Sequence, residues 1–253
     1  LSRTYPGLAL ADDERDEFPY WRGDGSEWSN SIATPKERRE LAAWLRDNPE
    51  TFDALPNDHW RKRCTEDFAT TATALCQLAM DGEWPAEPWR QALQVWSTAP
   101  VARNAFRRLG NLVSTAPDDT LKQLTHPLAR WLQAVAKDVG DDREPFVTLA
   151  KRTIALHRYD ALDAEHDPVS LAINQPVGIV VQALFAWWHA QGLEDNQGIG
   201  NPIRPIFDGL CDPAVPIFRH GRVILAQRAV LLFRVDQAWT EQQVLPLFDW
   251  SQS

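Results

Sequence analysis

Cysteine is scarce in this sequence: the chain contains three, Cys64, Cys76 and Cys211. An odd number at these spacings provides neither a disulfide framework nor the paired ligands of a structural zinc site. Such cysteines are typical of reduced, buried thiols in a cytoplasmic protein. The sequence therefore predicts a cytoplasmic location and no metal site.

Positive charge is also in short supply. Lys and Arg together number 26 against 35 Asp and Glu, so the net charge is −9. Binding to nucleic acid in general needs a basic footprint, and this balance argues against that class of function. Small basic clusters do recur, for example at Lys151-Arg152. A nucleic-acid-binding helical repeat stays open as an alternative if these clusters line up on one wall.

The sequence also lacks the usual signatures of catalysis and targeting. It contains no His-Glu-x-x-His zinc motif and no Gly-x-Ser-x-Gly elbow. Gly198-Ile199-Gly200-Asn201 is not followed by the Lys-Ser/Thr of a phosphate-binding loop, so we interpret it as a turn. No secretory signal or lipidation motif is visible. We therefore predict no enzyme activity, no catalytic residue, no cofactor and no membrane association.

The longest apolar stretch runs from Val177 to Trp188, interrupted only by one glycine and one glutamine. It is too short to cross a bilayer, which needs about 20 residues. A helix that is apolar on every side must be surrounded by other helices. Asn174 as a side-chain cap and Pro176 in the first turn are predicted to begin it. We expect a central core helix here.

Amphipathic segments of helical length occupy most of the remaining chain. Apolar residues recur at steps of three, four or seven from His59 to Met80, which predicts one helix. Thr34-Pro35-Lys36-Glu37 has the pattern of a capping box that begins an earlier helix. Pro127 is predicted to kink or split a longer helix. A break is also expected near His220-Gly221.

A repeated tetrapeptide indicates how these helices are arranged. The tetrapeptide Ser-Thr-Ala-Pro occurs at residues 97–100 and again at 114–117, each time between two predicted helices. Two such helix-and-turn units give a repeat of about 34 residues, a length typical of helix-pair solenoids. The sequence therefore predicts an all-α fold of stacked antiparallel helix pairs, a HEAT-like or TPR-like α-solenoid. Twelve Trp residues suit the large contacts between such helices.

The domain boundaries follow from composition. Residues 1–33 are rich in acids and show no sustained period, so we expect an irregular acidic arm. Residues 34–253 form the predicted helical-repeat domain, with the polar stretch 160–173 as a candidate sub-boundary. The chain begins with Leu1 rather than Met. We therefore expect a piece excised from a larger protein.

Candidate contact residues are few. Arg219, His220 and Arg222 interrupt an otherwise apolar region. A partly buried cation there needs a carboxylate or an anion nearby, so these three are predicted to contact an anion or a partner.

The densest polar cluster runs from His157 to Asp167. Asp163 and His166 within it could share a metal ion if the stretch is helical, but such spacing is common in solvated connections, and we predict no site. His189 is interpreted as an interface histidine rather than a base. An all-α enzyme with an unrecognised polar site, in this cluster or at 219–222, is the alternative function.

Two segments carry a resemblance to a known family. One is Asn174–Gly178 followed by Ala183-Leu184, and the other is Val235–Glu241 followed by Leu245–Trp250. They resemble parts of the helical C-terminal region of large bacterial proteins that have an N-terminal sirtuin-like domain. The similarity covers about residues 170–253.

The resemblance implies an anti-phage defence protein whose separate sirtuin-like domain hydrolyses NAD. This chain would then be a non-catalytic scaffold or sensor module. We expect it to bind a protein partner or other domains of its own chain.

Overall fold

The computed structural model describes residues 32–52, 57–98, 100–162 and 167–248. These residues form helices joined by turns, and no strand occurs among them, so the all-α prediction is confirmed. The α-helices of the described ranges are α1 Arg38–Asp47, α2 Asp58–Glu66, α3 Phe68–Met80, α4 Ala86–Trp96, α5 Val101–Val113, α6 Asp118–Val135, α7 Arg143–Leu156, α8 Pro168–Asn174, α9 Pro176–His189, α10 Ile203–Leu210, α11 Arg219–Gln227, α12 Ala229–Val235 and α13 Gln237–Gln243. Short 3₁₀ turns lie at Pro49–Phe52, Ala136–Asp138, Pro216–Phe218 and Leu245–Phe248.

The helices from α1 to α9, apart from α8, pack in two rows. In one row α1, α3, α5 and α7 each contact the next, and in the other α2, α4, α6 and α9 do the same. Helices adjacent in sequence also contact each other across the rows, as α4 does α5 and α6 does α7. The apolar positions of each helix are therefore buried between the rows.

Helix α9 is the centre of the molecule, as the sequence predicts. Every residue from Pro176 to Trp188 except Gln182 and Ala186 is buried. It packs against α6, α7, α8 and α11. Pro176 occupies the first turn as expected, but Gln175, not Asn174, is the N-cap residue. Asn174 instead ends α8, where its side-chain amide donates to the backbone O of Ser170.

Large aromatic rings connect the two rows. The Phe106 ring on α5 lies 4.9 Å from that of Trp131 on α6 and 6.3 Å from that of Phe146 on α7. The Phe146 ring lies 5.7 Å from that of Trp187 on α9. Edge-to-face and tilted ring pairs of this kind add about 0.5–1.5 kcal/mol each beyond the area they bury. The tryptophans thus have the bridging role that their number suggested.

Helices α8 and α9 approach each other unusually closely at Gly178. A Cβ atom at this position would overlap the backbone O of Ala172 and would lie 2.7 Å from its carbonyl carbon. The two helix axes are bent by 67° at this junction. In the described part of the chain no single helix is long and apolar enough to span a membrane; α8 and α9 reach that length and composition only as this bent pair.

The predicted capping box at Thr34 is wrong. Helix α1 has Glu37 as its N-cap residue, and Thr34 lies outside the helix. The backbone N–H of Thr34 instead donates to Nδ1 of His59, and its hydroxyl accepts from Nη1 of Arg63. Contacts with α2 therefore determine the conformation of Thr34, and they outweigh its tendency to cap a helix.

Helix boundaries also differ from the prediction at Asp67. The stripe from His59 to Met80 is two helices, because Asp67 ends α2 and its carboxylate accepts from the backbone N–H of Thr70 to begin α3. The spacing of apolar residues is the same on both sides of this junction, so the sequence pattern alone predicted a single helix.

Two further breaks were expected inside longer helices. At Pro127 the predicted split does not occur, because α6 is continuous. Proline removes the N–H that would bond to the carbonyl of Gln123, and that carbonyl accepts from Nη2 of Arg90 instead, at 3.2 Å. The break expected near His220-Gly221 occurs one residue earlier, where the 3₁₀ turn Pro216–Phe218 ends and α11 begins at Arg219, and a further break at Arg228 separates α11 from α12. A Cβ at 221 would lie 2.6 Å from Cδ2 of Leu210, so a larger residue there would require the Leu210 side chain to shift.

Asp236 organises the C-terminal elements. It ends α12 and begins α13, where Oδ1 accepts from the backbone N–H of Trp239 at 3.1 Å. Its Oδ2 accepts from the backbone N–H of Ile199 and from Nη1 of Arg204, both at 3.1 Å. One carboxylate thus connects α10, α13 and the loop before α10.

All three cysteines are free, as predicted. Cys64 is buried, whereas Cys76 and Cys211 are only partly buried. Burial raises the pKa of the Cys64 thiol. Burial also raises the pKa of Cys211, to about 11, and nearby Asp208 adds to that second shift. The thiols are therefore protonated at neutral pH, as inert structural cysteines are.

Candidate functional site

The predicted contact residues Arg219, His220 and Arg222 lie in three different environments. Arg219 is exposed at the first position of α11, His220 is buried, and Arg222 is partly buried. Their joint contact with an anion or a partner stays a prediction. Arg219 is the one of the three that lies open to solvent.

Arg222 holds the loop between α10 and α11. Its Nη1 donates to the backbone O of Asp212 at 2.9 Å and to the backbone O atoms of Leu210 and Val215 at 3.3 Å. Burial lowers the pKa of Arg222, and the nearby Cys211 and Asp212 oppose that effect. The guanidinium is thus matched by carbonyl dipoles, and it fixes the conformation of residues 210–215.

His220 belongs to a cleft that the sequence did not reveal. This histidine cleft has a volume of about 280 Å³ and is formed where α6, the end of α7, the start of α9 and α11 meet. Its lining includes His126, His157, Asp160, Gln175, Val177 and His220. Two clusters that are about 60 residues apart in sequence, at 157–160 and at 220, therefore come together here.

A charged network stands at one side of the histidine cleft. Nζ of Lys122 donates to both carboxylate oxygens of Asp160, at 2.7 and 2.6 Å, and to the backbone O of Leu156 at 2.8 Å. Nδ1 of His157 lies 2.7 Å from Oδ2 of Asp160. Burial raises the pKa of Asp160, but hydrogen bonds from Lys122 and His157 outweigh it and hold the pKa below its ordinary value. An ionised carboxylate only accepts, so Nδ1 of His157 carries the proton.

The remaining nitrogen of His157 is therefore a lone-pair acceptor. Burial lowers the pKa of His157, against the effect of its hydrogen bond with Asp160, so the ring is neutral at pH 7. Nε2 is shielded from solvent and has no hydrogen-bond partner among the described residues. A carboxylate-oriented neutral imidazole is the arrangement of a general base.

The other polar candidates do not join this cleft. His189 is exposed at the end of α9, so it is not buried at an interface within the described chain. Asp163 and His166 lie outside the described residues. Within the described ranges no group of three or more His, Cys, Asp or Glu side chains could hold a metal ion.

A second surface feature, also missed from the sequence, runs between α7 and α10. We call it the α7–α10 groove. It consists of two adjoining clefts of about 450 and 330 Å³ that share Lys151. The first is lined by Arg143, Glu144, Val147, Thr148, Asn201 and Pro202, and the second by Ile154, Ala155, Arg158, Pro205, Ile206, Gly209, Leu210 and Phe218.

Lys151 and Arg152, a basic pair in the sequence, have different contacts in the structure. The Lys151 side chain lines the groove, whereas Arg152 donates to the backbone O atoms of Ser114 and Ala116 at 2.7 and 2.8 Å and pairs with Asp118. Arg152 therefore secures the turn between α5 and α6. The sequence signal was the cluster itself, which does not say which member faces the surface.

The chain matches no protein-family model, and no curated protein and no solved structure is similar to it.

Proposed function

We propose that this chain is a non-catalytic helical scaffold or sensor module that binds a protein partner or another domain of its own polypeptide. The observation that carries the proposal is the packing of alternate helices in two rows, α1–α3–α5–α7 and α2–α4–α6–α9. Helix-pair repeats of the HEAT and TPR type pack in this way, and their usual work is to present an extended surface. We extend the proposal to a stacked antiparallel solenoid in the cytoplasm.

The resemblance of residues 174–184 and 235–250 to bacterial sirtuin-associated proteins adds a setting to this proposal. In that setting the module senses a trigger, or assembles the complex, beside an NAD-hydrolysing domain in anti-phage defence. The net charge of −9 supports a protein partner rather than a nucleic acid.

In-cell cross-linking tests the proposal. The tagged chain, treated in its host with an amine-reactive cross-linker, is expected to give adducts with one protein or domain through lysines of the rows. A variant with His157→Gln should give the same adducts, because binding requires no general base. Adducts no more abundant than those of an unrelated acidic helical protein would refute the proposal.

A second candidate function is supported by the histidine cleft. The 2.7 Å contact between Nδ1 of His157 and Oδ2 of Asp160, with Nε2 unpaired among the described residues, is an arrangement that an all-α enzyme could use as a base. This candidate differs from the first in the defence against phage that the proposed setting implies. That defence is lost in the His157→Gln variant if His157 is a base, although the adducts persist in both cases.

A further inference from the structure

The α7–α10 groove exists because one row of helices stops at α7. Helices α1, α3, α5 and α7 each contact the next member of the row, whereas α10 packs chiefly against α11. One face of α7 is therefore left beside a channel. Since α7 has 14 residues, that face is about 21 Å long.

The floor of the groove is apolar. Ile154, Ile206 and Phe218 are each less than a tenth exposed, and Leu210 is fully buried. Ala155 is exposed on α7 and lines the same cleft, so its small side chain keeps the channel open. Grooves of this size and character receive the apolar side chains of a peptide segment.

The rim carries more positive than negative charge. Arg143, Lys151 and Arg158 line the groove on the α7 side, and Lys151 belongs to both of its clefts. Lys151 forms no ion pair with any described residue. Glu144 is the acid in the lining, and Asp212 lies 3.6 Å from Arg158. This local excess stands out on a chain of net charge −9.

We infer that the α7–α10 groove binds an acidic, apolar peptide segment of a protein partner. Apolar side chains of the segment would cover Ile154, Ile206 and Phe218, while its carboxylates would face Lys151 and the arginines at either end. The inference rests on the proposed function and adds to it the place and the chemistry of the contact.

Two synthetic peptides of about 14 residues, the length of helix that matches α7, test the chemistry. Both carry leucine at the same helical positions, and they differ in having glutamate or lysine at the others. Fluorescence anisotropy with the full chain is expected to show binding of the acidic peptide at least about tenfold tighter than that of the basic one, with affinity falling as salt rises.

Variants locate the contact. Lys151→Glu should weaken the acidic peptide about tenfold and strengthen the basic one, whereas Lys137→Glu, an exposed lysine outside the groove, should change neither. Ala155→Trp should abolish binding by filling the channel, and Ala69→Trp on the exposed face of α3 should leave it intact.

Several results would overturn the inference. Equal affinity for the two peptides would show that the groove does not select acidic segments. Unchanged binding by the Ala155→Trp variant would show that the peptide binds outside the groove. Absence of acidic-peptide binding up to about 1 mM would refute both the location and the chemistry of the proposed contact. A dimer of the chain that Ala155→Trp dissociates would assign the groove to a second copy instead. In each case the cross-linking result still decides the proposed function independently.

Discussion

Replacing Gly178 by alanine adds one methyl group at the closest approach of two helices. The new Cβ would overlap the backbone O of Ala172 and lie 2.7 Å from its carbonyl carbon and 3.2 Å from its Cα. Ordinary contact begins at about 3.4 Å, so the carbonyl carbon alone requires a shift of about 0.7 Å between α8 and α9, and the overlapped oxygen requires a larger one. The neighbouring atoms are backbone and cannot rotate away.

The change in unfolding free energy caused by Gly178→Ala is the sum of two opposing effects. Overpacking of this kind costs about 3 kcal/mol, and alanine in place of glycine within a helix returns about 1 kcal/mol. The net loss of unfolding free energy is therefore about 2 kcal/mol or more, which for a chain of this size lowers Tm by at least about 4–8 °C.

Urea unfolding followed by tryptophan fluorescence measures this loss. Gly209→Ala is the matched control, because Gly209 lies in α10 and a Cβ there meets nothing within 4 Å. Its free energy of unfolding should be unchanged or higher by up to about 1 kcal/mol. If Gly178→Ala unfolds within about 0.5 kcal/mol of the control, the close packing of α8 on α9 is refuted.

Three other outcomes follow from the contacts described above. Arg222→Met should lower the unfolding free energy by about 1.5–3 kcal/mol, because the part-buried carbonyls of Leu210, Asp212 and Val215 lose a charged donor. The exposed Arg228→Met should change it by less than about 0.5 kcal/mol. Burial lowers the pKa of His157 below 6.5, so at acidic pH the unfolded chain binds more protons at this residue than the folded chain does, and the unfolding free energy falls as pH drops below about 6.5. Urea titrations at about pH 7.5 and pH 5.5 should show a smaller fall in unfolding free energy for His157→Gln than for the unsubstituted chain. Cys64 and Cys211 should react with Ellman's reagent at neutral pH only after urea unfolds the chain, and rapid labelling of native Cys64 would contradict its burial.

The sequence predicted helices best where one local signal was enough. The stretch from Val177 to Trp188 is apolar on every side, so only a central position suits it. The repeated tetrapeptide Ser-Thr-Ala-Pro was predicted to lie between helices, and α5 begins directly after Pro100 and α6 directly after Pro117. These signals act within a few residues, and the distant contact of Arg152 with the turn before α6 acts in the same direction.

Prediction failed where a distant contact decides the local structure. Thr34 is held by His59 and Arg63, and the carbonyl freed by Pro127 is satisfied by Arg90. Neither partner can be identified without the packing of the rows. The rules for capping and for proline were valid, but tertiary hydrogen bonds outweighed them.

The two candidate sites were harder to predict than the helices, because each is formed by residues that are distant in sequence and come together only when the helices pack. The histidine cleft joins His157 and Asp160 to His220, and the α7–α10 groove joins Lys151 and Ile154 to residues of α10. The sequence marked 157–167 and 219–222 as separate polar clusters. It contained no signal that they would meet, since that depends on how α9 brings α7 and α11 together.

The three hydrogen bonds that the Asp236 carboxylate accepts have a consequence for how the C-terminal elements open. Ile199, Arg204 and Trp239 depend on the same carboxylate, which also lies where one helix ends and the next begins. Loss of this carboxylate would weaken the loop before α10, α10 itself and the start of α13 at the same time. These elements are therefore expected to open as one unit, with similar protection of their amides in hydrogen exchange.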